Sequence, residues 1–346
     1  MSDLDESVAQ VLGTFRGFDD VRAVVPLVAR RATLDLGDLG PAEQARLVAA
    51  RVSAADPSED ALAQRLAAGR TLTVKFVVEP FATTFHLGNL VPLLVLNRLS
   101  RMGHRIVFVV GDLSAAFGDP SGSVPLSATP SAAELERNIS AYREHTARFL
   151  TGTPTEFVRN SDWLSRATLP ELMALAAHVP AAMVPGLGDG TLSRALYPVT
   201  KAMDAVHTRA DIEVGGVYQA GNLAVCRRIM AGEGLDPVIA LTTPLIPGVD
   251  GAPVMSATRG NEVSLLATPA AAFDRLAAVP ADLAEVYLRA LTEWQDPEID
   301  RARAVLTPGE LVLLTATAVT ATLHGHESAL RALDSRSPRP RTGAAQ

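Results

Sequence analysis

The chain has 346 residues and a formal net charge of −7, and 48% of the residues are hydrophobic, 20% charged and 5% aromatic. This length suits one large domain or two with a hydrophobic core. A single cysteine excludes a disulfide framework and a cysteine-based zinc site. No stretch approaches the ~20 apolar residues of a membrane helix, and the acidic N-terminus lacks the basic region of a signal peptide. We therefore expect a cytoplasmic protein without membrane partners.

The predicted elements begin with helices and then alternate with strands. Residues 1–70 are predicted to be helical, with amphipathic runs that begin at Pro41 and Pro57. Residues 72–78 and 105–110 are β-branched and apolar, which predicts two buried strands on either side of a helix over 87–102. This order predicts a parallel βαβ unit. Further strands are predicted over 155–159, 211–217 and 237–241, and further helices over 131–150, 169–178, 197–208 and 222–232.

The alternation of strands and helices predicts an α/β doubly wound domain with a parallel sheet. We predict four regions and a tail: an N-terminal helical extension over 1–70, the α/β domain over 71–265 with inserted helices at about 130–190, an α-helical domain over 266–334, and a disordered tail over 335–346.

Two loops that follow predicted strands carry candidate binding residues. His86, Gly88 and Asn89 stand at the start of a predicted helix, whose free N–H groups and dipole favour a phosphate. A histidine before a helix is also common as a purely structural residue. Asp119 lies in the loop 118–122 and could hold a substrate ammonium, although the same residues suit an ordinary turn.

Two further segments combine unusual residues with a fitting position. Tyr197, Lys201 and Asp204 have i,i+4 and i,i+3 spacing, so they share one face of a predicted helix. A solvated ion pair is the alternative, but lysine occurs in the whole chain only at Lys75 and Lys201. The glycine pair at 215–216 ends a predicted strand and suits either a nucleotide or a tight turn.

In this order and spacing, the four segments resemble the class I aminoacyl-tRNA synthetases, and the tyrosyl enzymes in particular. The matching segments are 86–89 for the HIGH-type signature, 118–122 for the GDPSG loop, 197–204 for the specificity helix and 215–222 for the glycine-rich turn. The resemblance covers about residues 72–325. It implies a Rossmann-like catalytic domain, an ATP-dependent ligase that acts on an amino acid and on tRNA, and a homodimer formed through the inserted helices.

Carried over position by position, the resemblance assigns three sets of residues. The predicted catalytic residues are His86, Asn89 and Arg259. The predicted substrate-binding residues are Lys75, Glu79, Asp119, Tyr197, Lys201, Asp204 and Gln219. The predicted nucleotide-binding residues are His86, Gly88, Gly215, Gly216, Tyr218, Met255 and Ser256. ATP is expected with its Mg²⁺, and no tightly bound metal is predicted.

The sequence departs from the family at functional positions. The loop that matches the family's KMSKS segment is 254–261, which contains no lysine and only Arg259 as a basic residue. Loss of one such group can cost ~10³-fold in rate. Lys75 and Lys201 instead stand where the family has a tyrosine and a glutamine. The chain also ends soon after Gly325, where bacterial tyrosyl enzymes continue into an RNA-binding domain.

These departures favour an enzyme repurposed for aminoacyl activation or transfer outside translation, with altered side-chain specificity. Two buried ammonium groups need anions, which the substrate or Asp204 and Glu79 would supply. Two alternatives stay open at this point: a minimal tyrosine–tRNA ligase, and a non-catalytic binding or regulatory paralogue.

Overall fold

The computed structural model describes residues 2–79, 85–114, 131–184 and 191–336. The chain divides into two compact units. The sheet unit comprises residues 35–85 and 89–245, and the helical unit comprises residues 1–34, 86–88 and 246–346. This division does not follow the predicted boundary at residue 70, and the predicted domain limits stay a prediction.

The sheet unit is built on one mostly parallel sheet, so the predicted α/β fold is confirmed. Its described strands are β1 Ala54–Asp56, β2 Thr73–Val78, β3 Arg105–Val110, β4 Thr155–Arg159, β5 Ile212–Gly216 and β6 Ile239–Thr243. They run in the order β1–β6–β5–β2–β3–β4. Every neighbouring pair is parallel except β1 and β6, which are antiparallel.

Eight helices are described in the sheet unit. They are α3 Pro41–Ala49, α4 Glu59–Leu66, α5 Leu87–Arg101, α6 Ala132–Ala147, α7 Ser161–Leu164, α8 Leu169–Ala176, α9 Leu192–Thr208 and α10 Ala220–Gly232. α6 begins at a capping box, where the backbone N–H of Glu134 donates to Ser131 Oγ at 3.3 Å. α9 and α10 pack through buried apolar residues that include Met203 and Ile229.

The prediction that residues 1–70 are entirely helical is wrong at one point. Residues 54–56 form β1, which pairs with residues 240–242 of β6. Three residues are too short to show the alternation that identifies a strand in a sequence. β1 is a strand because β6 offers it an unpaired edge, which is a tertiary contact.

The helical unit is organised around one buried helix. Its helices are α1 Ser2–Gly13, α2 Val21–Arg30, α11 Pro269–Leu276, α12 Ala284–Leu291, α13 Asp296–Val305, α14 Pro308–His324 and α15 His326–Arg336. α14 is apolar on all sides, as expected of a helix enclosed by others. Arg31 is buried in this unit and pairs with Asp5 at 2.6 Å and Glu298 at 2.7 Å. No helix within the described ranges is long and apolar enough to cross a membrane.

Candidate functional site

A lysine and a glutamate face each other in the middle of the sheet. Parallel pairing of β2 with β5 sets Lys75 opposite Glu213. Lys75 Nζ lies 2.9 Å from Glu213 Oε1 and donates a hydrogen bond to the backbone carbonyl of Lys201 at 3.0 Å. Burial alone disfavours the charged lysine, but the Glu213 carboxylate raises the pKa of Lys75 above its ordinary value. Lys75 is therefore a charged residue that is neutralised within the protein.

Glu213 was not predicted from the sequence, where the substrate, or Asp204 and Glu79, were expected to supply the anions for the lysines. The signal was present, because Lys75 and Glu213 are each a single charge inside an apolar strand. A charge at such a position needs a buried partner. The register of the two strands, which makes them neighbours, could not be read from the sequence.

The predicted face of α9 carries three buried polar side chains. Tyr197 is fully buried, and its hydroxyl donates to Glu79 Oε1 at 2.5 Å. Lys201 is 6% exposed, and its Nζ lies 5.4 Å from the centroid of the Tyr197 ring. Within the described ranges the Lys201 ammonium makes no hydrogen bond and no ion pair shorter than 4 Å. The structure thus brings these predicted substrate-binding residues together.

Asp204 is the most unusual group on this helix. Its Oδ1 accepts a hydrogen bond from Trp163 Nε1 at 2.9 Å. Its Oδ2 is buried and has no hydrogen-bond partner in the described part of the chain. Burial raises the pKa of Asp204 to about 6, against the opposing effect of Lys75 and Lys201. An unpaired buried carboxylate oxygen is costly, so it indicates a place where a ligand group can donate a hydrogen bond.

We call Lys75, Lys201, Asp204 and Glu213 the buried charge cluster. Its formal charge is zero, because two ammonium groups meet two carboxylates. Lys75 and Glu213 neutralise each other directly. Lys201 has no ion pair and one oxygen of Asp204 has no hydrogen bond within the described residues.

His86 is held at the start of α5 by backbone contacts. It forms an isolated bridge with Ser264, and the N–H of Leu87 donates to the carbonyl of Val263 at 3.0 Å. The Gly88 N–H donates to His86 Nδ1 at 3.0 Å. Burial lowers the pKa of His86, so the ring is neutral at pH 7 and carries its proton on Nε2. A Cβ on Gly88 would lie 2.8 Å from the imidazole, so this ring position itself requires glycine.

The loop that contains the predicted residues Met255, Ser256 and Arg259 is ordered by one asparagine. Asn261 Oδ1 accepts from the Ser256 N–H at 2.8 Å, and Asn261 Nδ2 donates to Asp250 Oδ1 at 2.9 Å. Met255 is buried, whereas Arg259 is exposed at the end of a 3₁₀ turn. The backbone of this loop is therefore ordered, whereas the Arg259 side chain extends into solvent and can reach a phosphate. Asn261 was not predicted as a functional residue from the sequence.

The glycine pair 215–216 has close neighbours from its own chain. A Cβ on Gly216 would lie 2.3 Å from the Tyr218 ring, and one on Gly215 would lie 3.2 Å from Gln219 Cβ. Gln219 Oε1 accepts from Asn222 Nδ2 at 2.8 Å. These contacts crowd both positions and favour glycine there, and the predicted nucleotide role of this turn stays a prediction.

Two other predictions concern Asp119 and bound metal. Asp119 lies outside the described residues. Across the described ranges, no group of three or more histidine, cysteine, aspartate or glutamate residues is placed to hold a metal ion.

Helix α8, in the predicted inserted region, exposes an apolar stripe. Leu169 is 70% exposed and Met173 is 60% exposed. Their i,i+4 spacing places them on one side of the helix. Exposed apolar side chains that lie together can contribute to a protein–protein contact.

Comparisons with known proteins agree on one family. The profile of the tRNA synthetases class I (W and Y) matches residues 67–336. The tyrosine–tRNA ligase of Thermotoga maritima is 31% identical over 290 residues, which cover 80% of this chain and 72% of that protein. The tyrosine–tRNA ligase of Aquifex aeolicus is 30% identical over 284 residues, covering 79% of this chain and 72% of that protein.

Solved structures support the same fold. The tyrosyl-tRNA synthetase of Archaeoglobus fulgidus, solved with L-tyrosine, aligns with a TM-score of 0.68 at 20% identity and covers 85% of this chain and all of that one. The enzyme of Aeropyrum pernix aligns with a TM-score of 0.65 at 17% identity, over 86% of this chain and 99% of that one. With the sequence relatives, these matches show that the chain belongs to the class I tRNA synthetases and, within them, to the tyrosyl-tRNA synthetase family.

Proposed function

We propose that this chain is an amino-acid-activating ligase whose side-chain selectivity differs from that for tyrosine and whose product is used outside translation. In the proposed reaction the carboxylate of the amino acid attacks the α-phosphate of ATP. The bond between the α- and β-phosphates breaks, and pyrophosphate leaves. The membership of the chain in a ligase family supports the class of reaction.

The observation that carries the altered selectivity is the buried charge cluster. Both lysines of the chain lie in it, at positions where the family resemblance leads us to expect a tyrosine and a glutamine. A buried ion pair changes both the shape and the electrostatics of a binding site, and removal of either partner alone is costly. Lys75 and Glu213 are therefore expected to belong to a site built for a particular ligand.

The α-amino end of the substrate is assigned to Tyr197 and, by the resemblance, to Asp119. Tyr197 is held in place by its hydrogen bond to Glu79. A carboxylate and a phenol oxygen are both hydrogen-bond acceptors, as an α-ammonium requires. Gln219 remains a predicted neighbour of the substrate.

ATP, with its Mg²⁺, would supply the activated phosphate. His86 and Gly88 at the start of α5, together with Met255 and Ser256 in the loop, are the residues proposed to hold it. The neutral His86 can donate from Nε2 to a phosphate oxygen. The exposed guanidinium of Arg259 can supply positive charge from the loop. Asn89 is proposed to act with His86 at the start of the same helix.

The test is amino-acid-dependent exchange between ATP and labelled pyrophosphate, with each of the twenty amino acids. We expect exchange with an amino acid other than tyrosine. Exchange with tyrosine alone contradicts the altered selectivity. Binding of an amino acid without exchange for any of the twenty supports the non-catalytic paralogue instead.

A tyrosine–tRNA ligase is the second candidate, and two observations favour it. The relatives carry that name. Asp204 Oδ2 is also free to accept a hydrogen bond from a phenol. Transfer of labelled tyrosine to tRNA at a rate matching exchange would establish this candidate, and it would exclude a role outside translation.

The proposal includes a homodimer, supported by the apolar stripe at Leu169 and Met173. A cytoplasmic location also remains part of the proposal.

A further inference from the structure

The pairing inside the buried charge cluster is uneven. Glu213 Oε1 lies 2.9 Å from Lys75 Nζ, and Glu213 Oε2 accepts a hydrogen bond from the Cys226 thiol at 3.7 Å. Lys75 is satisfied by Glu213 and by a backbone carbonyl. Lys201 and Asp204 Oδ2 lack such partners among the described residues. The part of the cluster available to a ligand therefore offers one donor and one acceptor.

The charge of the whole cluster decides which ligand can use these two groups. With Glu213 present the four charges sum to zero, so a charged side chain would bring an uncompensated charge into a buried site. A neutral group with both an acceptor and a donor, such as a carboxamide, adds no charge. It can accept from Lys201 and donate to Asp204 Oδ2.

We propose that Glu213 is a specificity-determining residue that positions and neutralises Lys75, so that the site selects amino acids with neutral side chains bearing a donor and an acceptor. This inference rests on the proposed function in one respect, because it places the amino-acid side chain at the cluster. It gives that function a substrate class. It also removes the need for an anionic substrate to balance the two lysines.

The alternative is that Glu213 serves only the stability of the sheet. Loss of Glu213 would then weaken folding but leave charge preference unaltered. A specificity role predicts that the preference between anionic and neutral side chains changes, and that a more positive cluster favours the anionic ones. The sign of that change separates the two roles.

The experiment measures binding by titration calorimetry at pH 7.5 without ATP. The probes are two pairs of equal shape: L-glutamine with L-glutamate, and 4-carbamoyl-L-phenylalanine with 4-carboxy-L-phenylalanine. The readout is the ratio of the Kd of the anionic member to that of the neutral member. For the wild-type chain we expect a ratio of at least about ten in one pair.

Three variants change the cluster charge in known steps. Glu213→Gln makes it positive, and the ratio should fall at least about tenfold. Lys75→Gln makes it negative, and the ratio should rise. The double variant restores neutrality, and its ratio should stay within about threefold of the wild type. Glu156→Gln, which removes the partner of Arg105 at the surface, is the matched control and should leave the ratio unchanged.

Each outcome decides the question. The assignment is supported if the Kd ratio falls when the cluster becomes positive and rises when it becomes negative. If Glu213→Gln does not fold, Lys75→Gln and the double variant still provide the comparison. An unchanged ratio in these variants overturns it, and so does a wild-type chain that binds no probe. Because no turnover is measured, the outcome is independent of whether the exchange assay supports or refutes activation.

Discussion

Replacement of Asp204 by asparagine should make the free energy of unfolding less dependent on pH. The pKa of Asp204 is raised from 3.8 to about 6 in the folded chain, with burial as the main cause. The folded state therefore binds this proton more tightly than the unfolded state does. It follows that the free energy of unfolding of the wild-type chain falls as the pH rises from about 4 to above 6. The ionised carboxylate therefore destabilises the folded chain at neutral pH.

The magnitude follows from the two pKa values. A difference of 6 − 3.8 = 2.2 in pKa corresponds to about 3 kcal/mol over the whole titration. About 2 kcal/mol of this falls between pH 4.5 and pH 7.5. Asparagine keeps the oxygen that accepts from Trp163 but does not titrate. The variant should therefore gain about 2 kcal/mol relative to the wild type across that range.

The assay is urea unfolding of both proteins at a series of pH values, with the difference in unfolding free energy plotted against pH. A constant amount added to or subtracted from the expected rise at every pH is compatible with the reasoning, because asparagine introduces a new donor. A flat difference, or one that falls as the pH rises, would refute it. Asp162→Asn, at an exposed position on α7 next to Trp163, leaves Asp204 unaltered and provides a control for the added amide.

Three further outcomes follow from the structure. Arg31→Leu leaves Glu298 buried without its cation and should lower the free energy of unfolding, measured with urea, by about 3 kcal/mol. A loss below about 1 kcal/mol would contradict a structural ion pair. Asn261→Ala frees the Ser256 N–H and should speed limited proteolysis of the loop about tenfold, and unchanged cleavage would show that other contacts order it. Leu169→Asp should weaken the proposed dimer at least about tenfold in sedimentation, and an unaltered dimer would place the interface elsewhere.

Much of the fold was predictable because its signals are local. β3 and β4 have the predicted bounds, and α5 and α10 differ by one or two residues from their predicted limits. Long apolar runs and capping residues define such elements within a single segment. β1 has no local signal, since its three residues become a strand only through β6.

The candidate site was predictable to a smaller extent. The spacing of Tyr197, Lys201 and Asp204 on one helix could be read from the sequence, because helical geometry fixes which residues share a face. The partners of these residues could not be read. Trp163 and Glu79 reach α9 from other elements, across 41 and 118 residues of sequence.

The two lysines of this arginine-rich chain show where the division lies. The sequence by itself determined that the chain has an α/β fold, that it resembles the tyrosyl enzymes, and that Lys75 and Lys201 fall in the predicted substrate region. Only the tertiary structure decided the charge of that region. Glu213 becomes the counter-ion of Lys75 because the parallel register of β2 and β5 places them opposite each other, and burial strengthens that contact by excluding water.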